Sequence, residues 1–352
     1  MGRTGRGRKN HRRVLSGVGG RVAAVTTTTP VDVRPEELEQ YRRELTGYCY
    51  RMLGSSFEAD DAVQETMVRA WRKADGFEGR SAVRSWLYRI AHNVCLDMLR
   101  SQKRRARPVD LGPASRVEAF TDAKRPDYEW VGPMPDERVL PATADPAELT
   151  AAKESVRLAF VAALQHLPAK QRSVLILREV LAWQASEVAE LLETSVASVN
   201  SALQRARATL AARDVEQTAP VTADQQALLA RYLTAFESYD VQGLVALLHE
   251  DAVLSMPPYE LWIQGRDEMA KWFVGPGSGC EGSRLLPITG NGLHGFGSYR
   301  PDGHGGHDPW GIQLLEFRGD LIAAQHSFID PALFPEFGLP THLDPGQVWP
   351  PE

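Results

Sequence analysis

The stretch that most constrains this chain is residues 167–213, where apolar positions recur at a helical period and are twice interrupted by turn chemistry. Leu167-Pro168-Ala169-Lys170-Gln171-Arg172 predicts a helix start, and Val174, Leu175, Leu177, Val180 and Leu181 continue its apolar side. A short helix over residues 187–192 follows, then the turn Glu193-Thr194-Ser195. A third helix is expected to bury Val196, Val199, Leu203, Ala206 and Leu210 and to turn Ala197, Ser198, Asn200, Ser201, Gln204, Arg205 and Arg207 outward. Small polar groups early in the helix and arginines later suit a helix-turn-helix that enters a DNA groove. The plainer alternative, a solvated helix of an all-helical bundle, is left open by this segment alone.

A second block lies upstream. It contains Tyr48-Cys49-Tyr50-Arg51-Met52-Leu53-Gly54, Ala59-Asp60-Asp61-Ala62-Val63-Gln64-Glu65-Thr66, Ala70-Trp71, and Ser85-Trp86-Leu87-Tyr88-Arg89-Ile90-Ala91-His92-Asn93 running to Asp97 and Arg100. Taken with residues 167–210, this resembles regions 2 and 4 of an extracytoplasmic-function sigma factor of bacterial RNA polymerase. The matching blocks cover roughly a third of the chain, in the family's order. One departure stands out: the family usually has glycine where this chain has Glu193. A left-handed backbone there would cost a non-glycine residue roughly 1 kcal/mol, which leaves room for a differently built turn.

Asp60, Asp61, Gln64 and Glu65 form one exposed stripe of a helix whose buried side is Ala62, Val63, Thr66, Met67 and Ala70. A solvated face is the usual meaning of such charge; the resemblance implies that the stripe docks on the clamp helices of the polymerase largest subunit. Residues 75–84 read as a glycine-containing loop with an aromatic and two arginines, able to hold an unstacked base while cations grip phosphates. The resemblance assigns capture of the melted minus-10 strand to Phe77, Arg80, Ser81, Arg84, Arg89 and Asn93, and contact with the minus-35 duplex to Ser198, Asn200, Ser201 and Arg205, with Arg172 and Arg207 on phosphates. Trp86, Leu87 and Ile90 are expected in the core. Arg100, Lys103, Arg104, Arg105 and Arg107 form a cluster suited to phosphates.

The 352 residues suffice for two or three domains, and no apolar run is long enough to span a bilayer, so a soluble protein without a membrane partner is expected. Cys49, Cys95 and Cys280 have no metal-ligand or redox spacing and read as reduced core residues of a cytoplasmic protein. The formal charge of -5 is unevenly shared: residues 220–352 hold 6 lysines and arginines against 17 acids, a net of -11, which leaves 34 against 28, or +6, before them. The acidic part would repel a phosphate backbone and suits a basic partner, including the basic domains of the same chain. The first 29 residues carry seven basic and no acidic side chains and lack an apolar run. Residues 1–33 are therefore expected to be a disordered basic arm, or partly sequence upstream of the true start, rather than a signal peptide.

Residues 108–150 follow a region 2 domain over 34–107 and precede a region 4 domain over 151–215. Their prolines and lack of periodicity predict a semi-extended linker. In the resembling family this connection threads the polymerase channel that RNA later occupies. Residues 127–136, with Trp130 among them, are too aromatic and rigid for a simple tether and are expected to dock on another domain of the chain, Trp130 serving as a regulatory contact.

Helices over 225–239, 242–248 and 267–273 and strands over 252–256, 312–317 and 321–328 predict an α+β cone over 220–332, with a tail over 333–352. Phe236, Asp240, Leu248, Asp251, Met256-Pro257-Pro258, Trp262, Gly265, Asn291-Gly292, Tyr299 and Phe328-Ile329-Asp330 make it similar to the SnoaL-like branch of the nuclear-transport-factor-2 superfold. A sigma factor with such a domain resembles the SigG-like group. The fold class expected is thus two all-α sigma domains plus a SnoaL-like α+β cone, acting with core RNA polymerase and promoter DNA as a promoter-specific initiation factor, without cofactor, metal or catalysis of its own. The cone is expected to regulate in cis by contact with the sigma domains. The alternative is a small-molecule sensor, or a polyketide-cyclase or isomerase-like enzyme, since 15 of 28 aromatic residues lie after residue 219 and His249, His294, His304, His307 and His326 could serve acid/base chemistry. Two histidines and Asp308 in a glycine-rich loop make only a weak metal site.

Overall fold

The computed structural model describes residues 35–74, 77, 82–100, 104–142, 144–211 and 223–347. The expected basic arm lies outside them, as do Arg80, Ser81, Lys103 and the last five residues.

The first domain packs α1 (Pro35–Glu39), α2 (Arg42–Leu53), α3 (Ser56–Lys73) and α4 (Val83–Leu99). Gly54 ends α2 in a left-handed conformation (φ 77°) and donates its N–H to the Tyr50 carbonyl, and the Ser55 hydroxyl then caps α3. Ala59, the adjacent pair Ala62 and Val63, Thr66 and Ala70 recur every three or four residues and form the buried side of α3. Leu87 and Ile90 are buried on α4 and Trp86 half-buried.

The linker is more ordered than a semi-extended tether. Three 3-10 turns (Pro108–Asp110, Val117–Ala119, Asp127–Glu129) are followed by α5 (Asp136–Val139) and α6 (Pro146–Glu154), the latter started by Asp145, whose carboxylate accepts the N–H groups of Ala147 and Glu148 at 2.9 and 2.8 Å. The second helical domain comprises α7 (Leu158–Leu164), α8 (Ala169–Leu175) with a π-helical turn Ile176–Val180, α9 (Ala185–Leu191) and α10 (Val196–Ala211). Glu193 takes φ 50°, so the turn before α10 is left-handed despite lacking glycine. Val196, expected in the core, is exposed, while Val199, Ala202, Leu203 and Ala206 are buried.

The C-terminal part carries α11 (Ala223–Glu237), α12 (Val241–Ala246), β1 (Leu248–Ser255), β2 (Trp262–Gln264), α13 (Arg266–Val274), β3 (Arg284–Gly290), β4 (Leu293–Pro301), β5 (His307–Arg318), β6 (Leu321–Phe328) and α14 (Leu333–Glu336). The six strands run β2-β1-β6-β5-β4-β3, antiparallel except for β1 against β6, which makes the sheet mixed. Two cores result. One lies inside the cone, between α11, α12 and α13 and the concave sheet face. The other is continuous from both helical domains to the opposite sheet face, where Ile312, Leu314 and Phe328 meet Phe334, Phe337 and Leu339 of the C-terminal segment. Gly297 on β4 leaves the room: a Cβ there would sit 2.3 Å from Leu339 Cδ1.

Candidate DNA, polymerase and interdomain surfaces

On α10, Asn200, Ser201, Gln204, Arg205 and Arg207 are exposed and Ser198 is half-buried. The Ser195 hydroxyl accepts the Ser198 N–H at 3.1 Å, which begins the helix, and Arg205 donates to Ser201 Oγ at 2.6 Å, so its guanidinium lies along the outer face. Arg207 pairs with Glu179 across the domain. Arg172 requires correction. It is buried, and its guanidinium donates to the carbonyls of Met52, Gln165 and Leu167 and to the Gln165 side chain. Its charge is committed to closing the α7–α8 corner against α2, out of reach of a phosphate.

Two other arginines expected on phosphates are also engaged. Arg105 is buried, pairs with Glu58 and donates to the carbonyls of Asp127 and Trp130; Arg107 pairs with Asp110. In the minus-10 set, Phe77 is a correction of the same kind: it is buried, with its ring 4.8 Å from that of Trp86, and so works as core rather than as a base platform. Arg84 is held by Glu44 at 2.8 Å and lies over the rings of Trp183 (5.1 Å) and Tyr88 (5.5 Å), while Arg89 donates to the Glu190 carbonyl at 3.4 Å. Trp183 and Glu190 belong to the second helical domain. Asn93 is exposed.

Along the α3 stripe, Asp61 and Gln64 are exposed and Glu65 accepts from Arg69 at 2.6 Å. Asp60 is half-buried beneath Arg138 of the linker, which also binds Glu336 of α14. A further contact between the helical domains is a buried triangle: Tyr48 OH, Ser173 Oγ and His92 Nδ1 lie 3.0 to 3.1 Å from one another. Burial, and the nearby Lys170, push His92 down to about 4.

The residue that joins all parts was visible in the sequence only as half of an Asn-Gly pair. Asn291 and Gly292 form the two-residue turn of the β3–β4 hairpin with φ 54° and 70°, the geometry Asn-Gly favours. Asn291 is fully buried. Its Oδ1 accepts the Met134 N–H at 2.8 Å, and its Nδ2 donates to Tyr50 OH and the Val156 carbonyl, both at 2.6 Å. The Gly292 N–H donates to Asp136 at 2.7 Å, and burial raises that carboxyl to about 6. One hairpin tip thus touches α2, the linker and the entry to α7. Trp130 is buried on the Ala106 strand contact, and with Pro257, Pro258, Phe328 and Leu333 it lines a cavity between α3, the linker and the sheet.

Inside the cone is a cavity of about 180 Å³ lined by aromatic side chains, Gln313, Gln325, Ser327 and Arg300. Among the described residues no histidine lines it. Strand alternation puts His326 on the opposite face, bonded to Ser255 at 2.9 Å and Glu316 at 3.3 Å. Among the described residues, no group of three metal-ligating side chains is present, and no helix is long and apolar enough to cross a membrane.

The sequence model of Sigma-70 region 2 matches residues 38–105, that of Sigma-70 region 4 residues 157–210, and that of the SnoaL-like domain residues 229–325. The chain is 43% identical over 316 residues to the ECF RNA polymerase sigma factor SigG of Mycobacterium tuberculosis, covering 87% of this chain and 83% of that one. It is 27% identical over 310 residues to SigJ of the same organism, covering 85% and 92%. The crystal structure of that SigJ superposes with a TM-score of 0.55 at 23% identity, over 87% of this chain and all of that one, and shares the fold. With both sigma regions and the cone present in one chain, and a relative this similar along most of its length, the protein belongs to the extracytoplasmic-function sigma factors of RNA polymerase, transcription initiation factors rather than enzymes, and carries a SnoaL-like C-terminal domain.

Proposed function

We propose that the arrangement described here is a closed, resting form, in which the SnoaL-like domain and the linker restrain the two DNA-reading domains until core polymerase binds. Sigma factors work with core RNA polymerase and promoter DNA. The observation that carries the reading is the Arg138 bridge: it ties Asp60 of the polymerase-docking stripe to Glu336 of the C-terminal segment that packs on the cone's sheet. Asp60, Asp61, Gln64 and Glu65 would meet the polymerase clamp only after that bridge parts. Geometry supports the same view. Minus-10 and minus-35 elements lie about 25 base pairs apart, roughly 85 Å of duplex at 3.4 Å per step, yet Arg89 and Glu190 are in contact. In the open form Arg80, Ser81, Arg84, Arg89 and Asn93 would engage the melted strand, and Ser198, Asn200, Ser201, Arg205 and Arg207 the upstream duplex. The compartment we infer is the cytoplasm, where polymerase works.

The test is in vitro transcription from a cognate promoter with equal amounts of intact protein, Asn291→Ala, Arg138→Ala, Trp130→Ala and a chain ending before Val221. Asn291→Ala strips partners from the Met134 N–H, the Val156 carbonyl and Tyr50 OH, and should loosen the joint by about 2–3 kcal/mol. Output and core-polymerase affinity should rise several-fold for all four. Equal activity and equal affinity across the set would remove the regulatory role.

A further inference from the structure

The linker does not merely cross the SnoaL-like domain; it roofs its cavity. Ser115 donates its N–H to the Trp262 carbonyl at 2.8 Å, Val117 to Glu268 at 3.0 Å and Arg125 to the Pro258 carbonyl at 3.0 Å, while Trp262 Nε1 returns a bond to the Gly112 carbonyl at 3.0 Å. Between these ties Phe120 turns into the cone mouth, edge-on to Trp272 (5.1 Å) and Tyr259 (5.5 Å), and Lys124 lies over the Tyr259 ring at 5.5 Å. Phe120 and Asp122 line the cavity together with residues of the cone itself.

The interior beneath this roof has unmet polar needs. Gln325 is 4% exposed and lines the cavity; its Nε2 donates to Ser327 at 3.2 Å and its Oε1 has no partner. Whichever way the amide is turned, one of its two polar atoms is left desolvated and without a partner at the cavity wall, a need that an occupant reaching it would meet. Gln313, on the neighbouring strand, is anchored by Tyr232 OH at 2.9 Å. On the wall, Arg300 stacks on Trp310 with 3.3 Å to the ring centroid, donates to Cys280 Sγ at 3.1 Å and keeps a buried Nε without a partner.

We propose that this cavity binds a small planar aromatic molecule of a single ring, carrying a hydroxyl for the Gln325 amide and a carboxylate or carbonyl for Arg300, and that the linker through Phe120 forms part of the site. The volume, about 180 Å³, fits that size, since an apolar cavity of about 150 Å³ accommodates benzene. Aromatic walls supply the affinity and the amide and guanidinium fix orientation. An occupant in contact with Phe120 binds the docked linker more tightly than the undocked one, and so shifts the chain toward docking. Its consequence for transcription rests on the closed form proposed above; the binding itself does not.

The experiment uses 4-hydroxybenzoate as probe and the full-length protein without polymerase or promoter, so that it reads the site whether or not the closed form represses transcription. Tryptophan fluorescence follows binding, and tryptic cleavage after Arg116 and Lys124 follows the linker. Saturable quenching is expected, with cleavage slowed at least fivefold at saturation. Phe120→Ala should weaken binding about tenfold and abolish the protection, and Gln325→Leu, checked for native circular dichroism, should weaken binding while the linker stays docked without probe. Absence of saturable binding by the intact protein overturns the site. Binding that Phe120→Ala leaves unaltered, or saturation without slower cleavage, overturns the linker's part in it.

Discussion

At the level of single residues, side chains of the same type have been put to different uses by their surroundings. Arg205 lies on an exposed helix face and donates to Ser201, whereas Arg172 spends its guanidinium on three carbonyls and an amide. Helical periodicity identified the face of Arg205, because α10 is amphipathic along its own length. It could not identify the fate of Arg172, whose partners Met52 and Gln165 come from elsewhere in the chain. If Asn200 and Arg205 read base edges, Asn200→Ala and Arg205→Ala each weaken holoenzyme binding to a matched minus-35 element by about 1–3 kcal/mol, with a smaller loss on a scrambled element. Equal losses on the two DNAs would mark them as phosphate contacts. Asn291 shows the same limit of local reading. Its Asn-Gly turn is legible, and its role as a joint is not, since Tyr50, Met134 and Val156 lie 135 to 241 positions away or on another element.

Among the elements, helices α3, α4 and α8 to α13 and strand β6 (Leu321–Phe328) were the most legible, because apolar spacing specifies them, whereas α5, α6 and α14 are short and fall in segments without such spacing. Strands β3 and β4 escaped notice since Pro287, Gly290, Gly295 and Gly297 interrupt their alternation; those residues allow the bend and the close approach of the C-terminal segment. The parallel pairing of β1 with β6 is a non-local choice with no signature in either strand. Contact between α2, α4 and α8 is equally non-local, and it titrates. His92 sits neutral between Tyr48 and Ser173, with its folded value near 4 against 6.5 when exposed. A histidine depressed by burial contributes stability that is complete above pH 6.5 and is lost as pH falls toward 4, by on the order of 3 kcal/mol. Denaturant midpoints measured from pH 7.5 to 4 should therefore fall on the acid side, and His92→Asn should flatten that part of the curve. An unchanged slope would place the acid sensitivity elsewhere.

The whole molecule combines a basic pair of helical domains with an acidic cone, a division of charge that the sequence shows directly. Attraction between them holds at short range only, because salt screens beyond about 10 Å. The specific joint, Asn291 with Asp136 and the Arg138 bridge, therefore decides which surfaces meet. Tethering raises the effective concentration of the cone near the sigma domains, so modest contacts suffice to close the chain and polymerase can compete them away. The central claim is that closure in the free chain gives way to separation in the holoenzyme. It is tested most directly by a distance between probes on exposed positions Arg72 of α3 and Ala208 of α10, with Cys280 replaced by serine. The account predicts one short distance in the free protein and an increase of several tens of ångströms on a promoter with core polymerase; an unchanged distance, or a free chain already extended, would contradict it.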